Sequence, residues 1–245
     1  PAAFQDMLAE LADRIREASK VRIRGPKPAA PAHPGPKKKI EWKGGPPSRA
    51  VIALGASTGG TTALRTMIHA FPRNSPGTLV VQHMPPVFTR MFAESLDRES
   101  AVEVREARDG DAVRDGLVLV APGDLHMSLE RAGDGWKVRC QGGLKVSGHR
   151  PSVDVLLRSV AQAVGDRAVG MVLTGMGRDG AEGLLAMRRA GSACLAQDEG
   201  SSVVFGMPKE AWECGAAERL VPLDAAAEAL LERAARISEG RVHGD

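Results

Sequence analysis

The residues of this chain best suited to chemistry stand where apolar runs of strand length end. The first group is Gly55-Ala56-Ser57-Thr58-Gly59-Gly60, which follows the run 50–55 and leads into a helical pattern. Gly55-x-Ser57-x-Gly59 fits a strand–turn–helix nucleophile pattern, in which glycines permit a tight turn that lifts the serine hydroxyl above a sheet. The N-terminus of the helix behind it offers free N–H groups and positive potential, which suit a developing oxyanion. A phosphate loop is the rival, but the segment has neither the Gly-Lys-Ser/Thr ending of a P-loop nor the spacing of G-x-G-x-x-G. The third possibility is an ordinary β–α turn with Ser57 as a helix cap.

A nucleophilic serine needs a base, and several histidines compete. Gln82-His83-Met84-Pro85-Pro86 puts His83 at the end of the run 78–82, with two prolines fixing the exit of the chain. His126 follows Ala121-Pro122-Gly123-Asp124-Leu125, and His149 precedes Arg150-Pro151. His33 and His243 fall in tails, and His69 closes a helix. A third group, Thr174-Gly175-Met176-Gly177-Arg178-Asp179-Gly180, follows the run 169–174. Asp179 with Glu182 has the spacing of a helix-capping pair. Its other possible role is to orient a histidine, fixing the tautomer and stabilising the imidazolium. The loop glycines leave backbone N–H groups free to point into a site. Ser57, His83 and Asp179 all lie at strand ends, but spacing alone does not choose His83 over His126.

Strand ends matter because open α/β sheets bind ligands at the carboxyl edge of their strands. From Arg49 onward, apolar runs alternate with helical patterns. Strands are expected at 50–55, 78–82, 117–121, 169–174, 193–197 and 219–221. Helices are expected at 61–70, 88–99, 152–164, 180–190, 207–214 and 224–237. Runs that are apolar throughout suit strands buried on both faces of a parallel sheet. Residues 125–140 differ: two alternating stretches flank Ala132-Gly133-Asp134-Gly135, the pattern of a β-hairpin, expected at one edge. The fold class is α/β: a doubly wound, mostly parallel sheet covered by helices on both faces, with an antiparallel hairpin. Residues 1–24 are expected to hold a linker helix, with Phe4, Met7, Leu8, Leu11 and Ile15 at helical spacing. Residues 25–48 form a Pro/Lys-rich tether, 49–237 the catalytic domain and 238–245 a C-terminal tail.

Charge and cysteine usage narrow the function classes. Residues 1–49 carry 11 Lys+Arg against 5 Asp+Glu, a net +6, which leaves residues 50–245 with 22 basic and 25 acidic groups, a net −3. The basic character belongs to the N-terminal segment, so a nucleic-acid-binding body is not expected. Cys140, Cys194 and Cys214 are far apart and odd in number, which suggests neither a zinc site nor a disulfide framework and fits a reducing cytoplasm. No apolar run approaches membrane-spanning length. Asp6, Glu10 and Asp13 interrupt the first apolar segment, so no signal peptide is expected there.

The segments VIALGASTGG, VVQHMPPVFTRMFAESL, LVAPGDLHM, HRPSVDVLLRSVA, VLTGMGRDGAEGL and QDEGSSVVFGMPKEA occur in order across residues 50–231. Together they resemble the catalytic domain of the chemotaxis protein-glutamate methylesterases. The resemblance implies a triad of Ser57, His83 and Asp179, with backbone N–H groups near Thr58 and Met176 stabilising the oxyanion. It implies hydrolysis of glutamate γ-methyl esters on the cytoplasmic helices of chemoreceptors, with deamidation of receptor glutamines in some members. No metal or organic cofactor is expected. The family architecture also implies an N-terminal receiver domain, of which residues 1–48 resemble only the tether. The alternatives are a hydrolase of small soluble esters and a non-catalytic anion-binding α/β module.

Overall fold

The structure is a computed structural model that describes residues 40–45 and 49–240. The helix expected at 1–24, most of the tether and the end of the C-terminal tail lie outside the described residues. Nine strands and six α-helices follow one another among these residues. They are β1 (Val51–Ala56), α1 (Gly60–His69), β2 (Thr78–Gln82), α2 (Phe88–Glu99), β3 (Glu103–Glu106), β4 (Leu117–Val120), β5 (His126–Ala132), β6 (Gly135–Gln141), α3 (Val153–Ala163), β7 (Ala168–Val172), α4 (Ala181–Arg189), β8 (Ala193–Gln197), α5 (Met207–Glu213), β9 (Arg219–Val221) and α6 (Leu223–Ser238).

Seven strands form one sheet in the order β3-β4-β2-β1-β7-β8-β9, and every pairing in it is parallel. The chain starts at β1 and builds outward to one side. It then returns to place β7 on the other side of β1. The strand order therefore reverses between β1 and β7, and the loops that follow these two strands open a crevice there. Alternate residues of each strand feed two separate cores. Ile52, Leu54 and Val80 meet Leu64 and Met67 of α1, Phe92 of α2 and Leu230 of α6 on one face. Val51, Ala53, Leu79 and Val81 meet Leu156 and Leu157 of α3, Leu184 of α4 and Met207 of α5 on the other. A strand with an apolar neighbour on both faces has no polar alternation, and β1, β2, β4 and β7 are buried along their whole length.

The expected hairpin is present as a two-stranded sheet of its own. It lies between β4 and α3 in the chain and packs on α3: Leu129 N–H donates to Ser159 Oγ at 2.9 Å, and Trp136 Nε1 donates to the Ala163 carbonyl at 3.1 Å. Two features depart from the sequence-based expectation. The edge strand β3 was not foreseen, because in Glu-Val-Arg-Glu only Val104 is buried. Ile40 and Trp42, read as part of the tether, are half-buried and pack against the first core.

Candidate active site

Each residue singled out at a strand end is placed by the parallel register. Ala56 of β1 pairs with Gln82 of β2, so Ser57 and His83 are the next residues on adjacent strands. His83 N–H donates to the Ala56 carbonyl at 3.1 Å, which continues the ladder one step past the strand. On the other side of β1, Ser57 N–H donates to the Thr174 carbonyl at 3.0 Å. Ser57 is thus held between the loops that follow β2 and β7, at the point where the strand order reverses. The buried Gln82 side chain fixes the turn from behind: its Nε2 donates to the carbonyls of Ser57 at 2.9 Å and His83 at 3.2 Å.

A glycine makes the tight turn. The left-handed residue is Gly59, at φ +82°, and not Ser57. A side chain at Gly59 would also run into Val203, whose Cβ lies 2.6 Å from where the first carbon would sit. Gly60 is required for space, since its Cβ would fall 2.2 Å from Gln82 Oε1 and 2.6 Å from Ala56 Cβ. The glycines therefore bring the helix N-terminus close behind Ser57 rather than strain the serine itself.

His83 and Asp179, 96 residues apart in sequence, meet directly: His83 Nε2 lies 2.8 Å from Asp179 Oδ2. With Nε2 donating to the carboxylate, the neutral ring carries its lone pair on Nδ1, which is buried and has no partner among the described residues. This leaves Nδ1 available to accept a proton, the reverse of the serine-protease arrangement, where the carboxylate takes Nδ1. His149 stacks on the His83 ring with centroids 3.7 Å apart and planes within 5°.

The surroundings of Asp179 keep it ionised although it is only 1 % exposed. Burial by itself raises its pKa, but the hydrogen bond and charge of His83, the N–H of Asp154 and the Ser152 hydroxyl outweigh burial and hold the carboxyl below its ordinary value. Its oxygens accept from Ser152 Oγ at 2.8 Å, Val153 N at 2.7 Å and Asp154 N at 3.0 Å. These donors open α3, so the carboxylate also sits at the positive end of that helix. Asp179 is therefore both a helix-terminus anion and the partner of the histidine. Ser152 and Asp154, both within the segment HRPSVDVLLRSVA, are part of this network. Ser152, the N-cap of α3, was recoverable from its position before an apolar helical pattern.

His126 is committed elsewhere. Its Nδ1 accepts from Ser152 N–H at 3.2 Å and its Nε2 contacts the Leu144 carbonyl at 2.9 Å, so both nitrogens hold backbone. His69 contacts the Glu99 carbonyl at 2.6 Å, beyond the far end of α1. The backbone N–H groups of Thr58 and Met176 are not taken up by any acceptor among the described residues. Met176 follows Gly175, whose missing side chain leaves room for Ser57: a Cβ there would lie 2.8 Å from Ser57 Cβ and 2.2 Å from Met207 Sδ.

His83, His149 and Asp179 each bring one atom able to bind a metal within 4.8 Å of the others. The two parallel rings, however, direct their nitrogen lone pairs along separate planes rather than at a common point, and Asp179 Oδ2 already accepts from His83. The arrangement suits proton transfer better than coordination.

The description "CheB methylesterase" belongs to the family model that matches residues 52–230. The chain belongs to the CheB methylesterase family. Similar relatives include the protein-glutamate methylesterase/protein-glutamine glutaminase of Syntrophotalea carbinolica, 49% identical over 96% of this chain and 66% of the relative. A Pseudomonas aeruginosa protein of the same name, numbered 2, is 48% identical over 97% of this chain and 66% of its own length. One from Bordetella avium is 51% identical over 91% and 63%. The chain thus spans a little under two thirds of the length of these curated relatives. Among solved structures, the Thermotoga maritima CheB methylesterase catalytic domain matches with a TM-score of 0.73 at 38% identity, covering 75% of this chain and 97% of that one. No helix among the described residues is long and apolar enough to cross a membrane.

Proposed function

We propose that this chain hydrolyses glutamate γ-methyl esters on bacterial chemoreceptors, and releases ammonia from receptor glutamines by the same route. The observation that carries this reading is the His83–Asp179 contact beside Ser57 at the carboxyl edge of the sheet. His83 Nδ1 removes the Ser57 hydroxyl proton as Oγ attacks the ester carbonyl carbon. The N–H groups of Thr58 and Met176 stabilise the oxyanion. The imidazolium, balanced by Asp179, gives its proton to the departing methoxide, and methanol leaves. A water molecule, deprotonated in turn by His83, attacks the acyl-serine and frees the glutamate carboxylate. For a glutamine side chain the leaving group is ammonia and the product is again glutamate. No step requires a metal or organic cofactor. The names of the relatives support the substrate class, and the receptor helices are the partner that this substrate implies.

The test is release of methanol from receptor membranes carrying labelled methyl groups. The chain releases label, and Ser57→Ala abolishes release while keeping the wild-type circular dichroism spectrum. Release by Ser57→Ala at the wild-type rate overturns the serine mechanism. Turnover of free γ-methyl glutamate equal to that of receptors assigns the chain to small esters instead.

A further inference from the structure

A second buried carboxylate lies next to the site, and the proposed reaction makes no direct use of it. Asp154, in the first turn of α3, is 2 % exposed. Its Oδ1 accepts two backbone N–H groups of the other chain segment, Gly180 at 3.0 Å and Gly183 at 2.7 Å. Asp179 returns the favour in the opposite sense, accepting from the N–H of Val153 and of Asp154 itself. The openings of α3 and α4 are therefore cross-linked by two carboxylates, each rooted at one helix and capping the other.

The glycines at this crossing exist to permit it. A Cβ at Gly183 would lie 2.8 Å from Leu157 Cβ and 3.0 Å from the Asp154 backbone. Gly180 stands at φ +98°, and a Cβ there would lie 2.7 Å from Val153 Cγ1. The close approach places two carboxyl groups in one dry region, which is costly for their charged forms. Burial raises the Asp154 carboxyl above its ordinary pKa, and the charge of Asp179 adds to this against the Gly183 and Gly180 N–H bonds. A simple cap for α4 would need no such arrangement. What distinguishes Asp154 from a cap is its hold on the Gly180 N–H, because that atom belongs to the peptide joining Asp179 to Gly180. Fixing this peptide fixes the direction in which the Asp179 side chain leaves the backbone.

Resting on the methylesterase reading, we propose that Asp154 is a positioning residue, which clamps the Asp179–Gly180 peptide so that Asp179 meets His83 Nε2. Asp154 touches neither substrate nor reacting atoms. Removing it frees the peptide, lets the Asp179 carboxylate turn away, and leaves His83 without its orienting partner. A displacement near 1 Å at such a group lowers turnover on the order of 10²-fold. The effect falls on kcat, since the pocket that binds the substrate is unchanged.

The experiment compares Asp154→Ala and Asp154→Asn in the full chain. Methanol release gives kcat and KM, and the low-field proton resonance of the His83–Asp179 hydrogen bond is recorded by NMR. Asp154→Ala is expected to lose kcat on the order of 10²-fold with KM within about twofold of wild type, and to lose the resonance. Asp154→Asn keeps an Oδ1 acceptor for both N–H groups and is expected to restore the resonance and most of kcat. Wild-type kcat and an intact resonance in folded Asp154→Ala overturn the proposal. So does an Asp154→Asn variant as impaired as Asp179→Asn, since that outcome makes charge rather than the clamp the agent; this arm decides the matter if the alanine variant does not fold. If the wild-type chain releases no methanol, the methylesterase reading fails by itself, and the resonance still reports whether Asp154 positions Asp179.

Discussion

His83 and His126 look alike in sequence, each just beyond or at a strand boundary, and only their surroundings separate them. His83 has one nitrogen on Asp179 and the other unpartnered among the described residues, whereas both nitrogens of His126 are tied to backbone. His83→Gln should therefore lower kcat by at least about 10⁴-fold. His126→Gln should cost about 1 kcal/mol of stability for its lost bonds and keep much of the activity. The reverse pattern in a methanol-release assay would reassign the base. Asp179 also links the site to pH. Its folded pKa lies below the ordinary 3.8, so its stabilisation is fully present above that value and is lost as pH falls through the folded pKa. The melting-temperature gap between wild type and Asp179→Asn should be widest near neutral pH and shrink below about pH 4. A gap that widens on acidification would contradict the ionised-partner role. Ser57, His83 and Asp179 could be singled out as candidates because each lies at or just past the end of an apolar run, but spacing left His126 a rival base and only the family resemblance chose among them. His149, although noted as a rival base, gave no hint of its stack on His83, and Asp154 gave none of its clamp. Both contacts depend on how the segment before α3 folds back across the sheet, and no local pattern encodes that path.

The loops that carry the site combine close packing at Gly175 with a strained backbone at Val87, and substitutions test each at the level of elements. Gly175 lies between Ser57 and α5, so Gly175→Ala must push either Ser57 or Met207 aside. If Ser57 yields, the acyl intermediate moves away from the proposed Met176 N–H donor, and kcat should fall on the order of 10²-fold, as for loss of one oxyanion donor. Trimming the obstacle with Met207→Ala in the same chain should recover part of that loss; no recovery would mean that Met207 is not what displaces Ser57. Val87, at the N-cap of α2 directly after Pro85-Pro86, stands at φ 74° and ψ −48°, a strained conformation for a β-branched residue. Its side chain is exposed, so Val87→Gly relieves strain without opening a cavity. Set against the added chain entropy of glycine, the net gain should be about 1 kcal/mol, or roughly 2–4 °C in melting temperature. A lower melting temperature would show that Val87 makes contacts worth more than its strain. The elements themselves were largely visible in the sequence. β2, β8, β9 and α2 match their expected bounds: β2 and β8 are mostly apolar runs buried on both faces, β9 is a short edge strand marked by Leu220 and Val221, and α2 repeats its buried residues at helical spacing. The miss at β3 comes from composition: three residues of Glu-Val-Arg-Glu are charged, so this edge strand reads as a loop.

At the scale of the whole molecule, the seven-stranded sheet and the hairpin are two constructions of unequal depth. The large sheet is buried under helices on both faces, while the hairpin rests on α3 and shares the isolated bridge Ala112↔Lys137. The three cysteines sample these layers. Cys194, on β8, is fully buried, and burial pushes its thiol up to about 12. Cys140, on β6 of the hairpin, is half-buried, and burial together with the charges of Asp109, Asp111 and Glu106 pushes it up to about 12 as well. Cys214, at the end of α5, is exposed. A thiol reacts as its thiolate, so the first two are protected both by cover and by protonation, and each becomes reactive only when its surroundings open. Regions with fewer buried apolar contacts open at lower free-energy cost than the central core. Pulsed alkylation read by mass spectrometry should therefore label Cys214 at once in the native protein. With rising denaturant Cys140 should follow at a lower concentration than Cys194, which should react only as the whole sheet unfolds. Equal protection of Cys140 and Cys194 would show that the hairpin opens only together with the sheet, as one cooperative unit. Protection of Cys140 beyond that of Cys194 would reverse the order of depth argued from the packing.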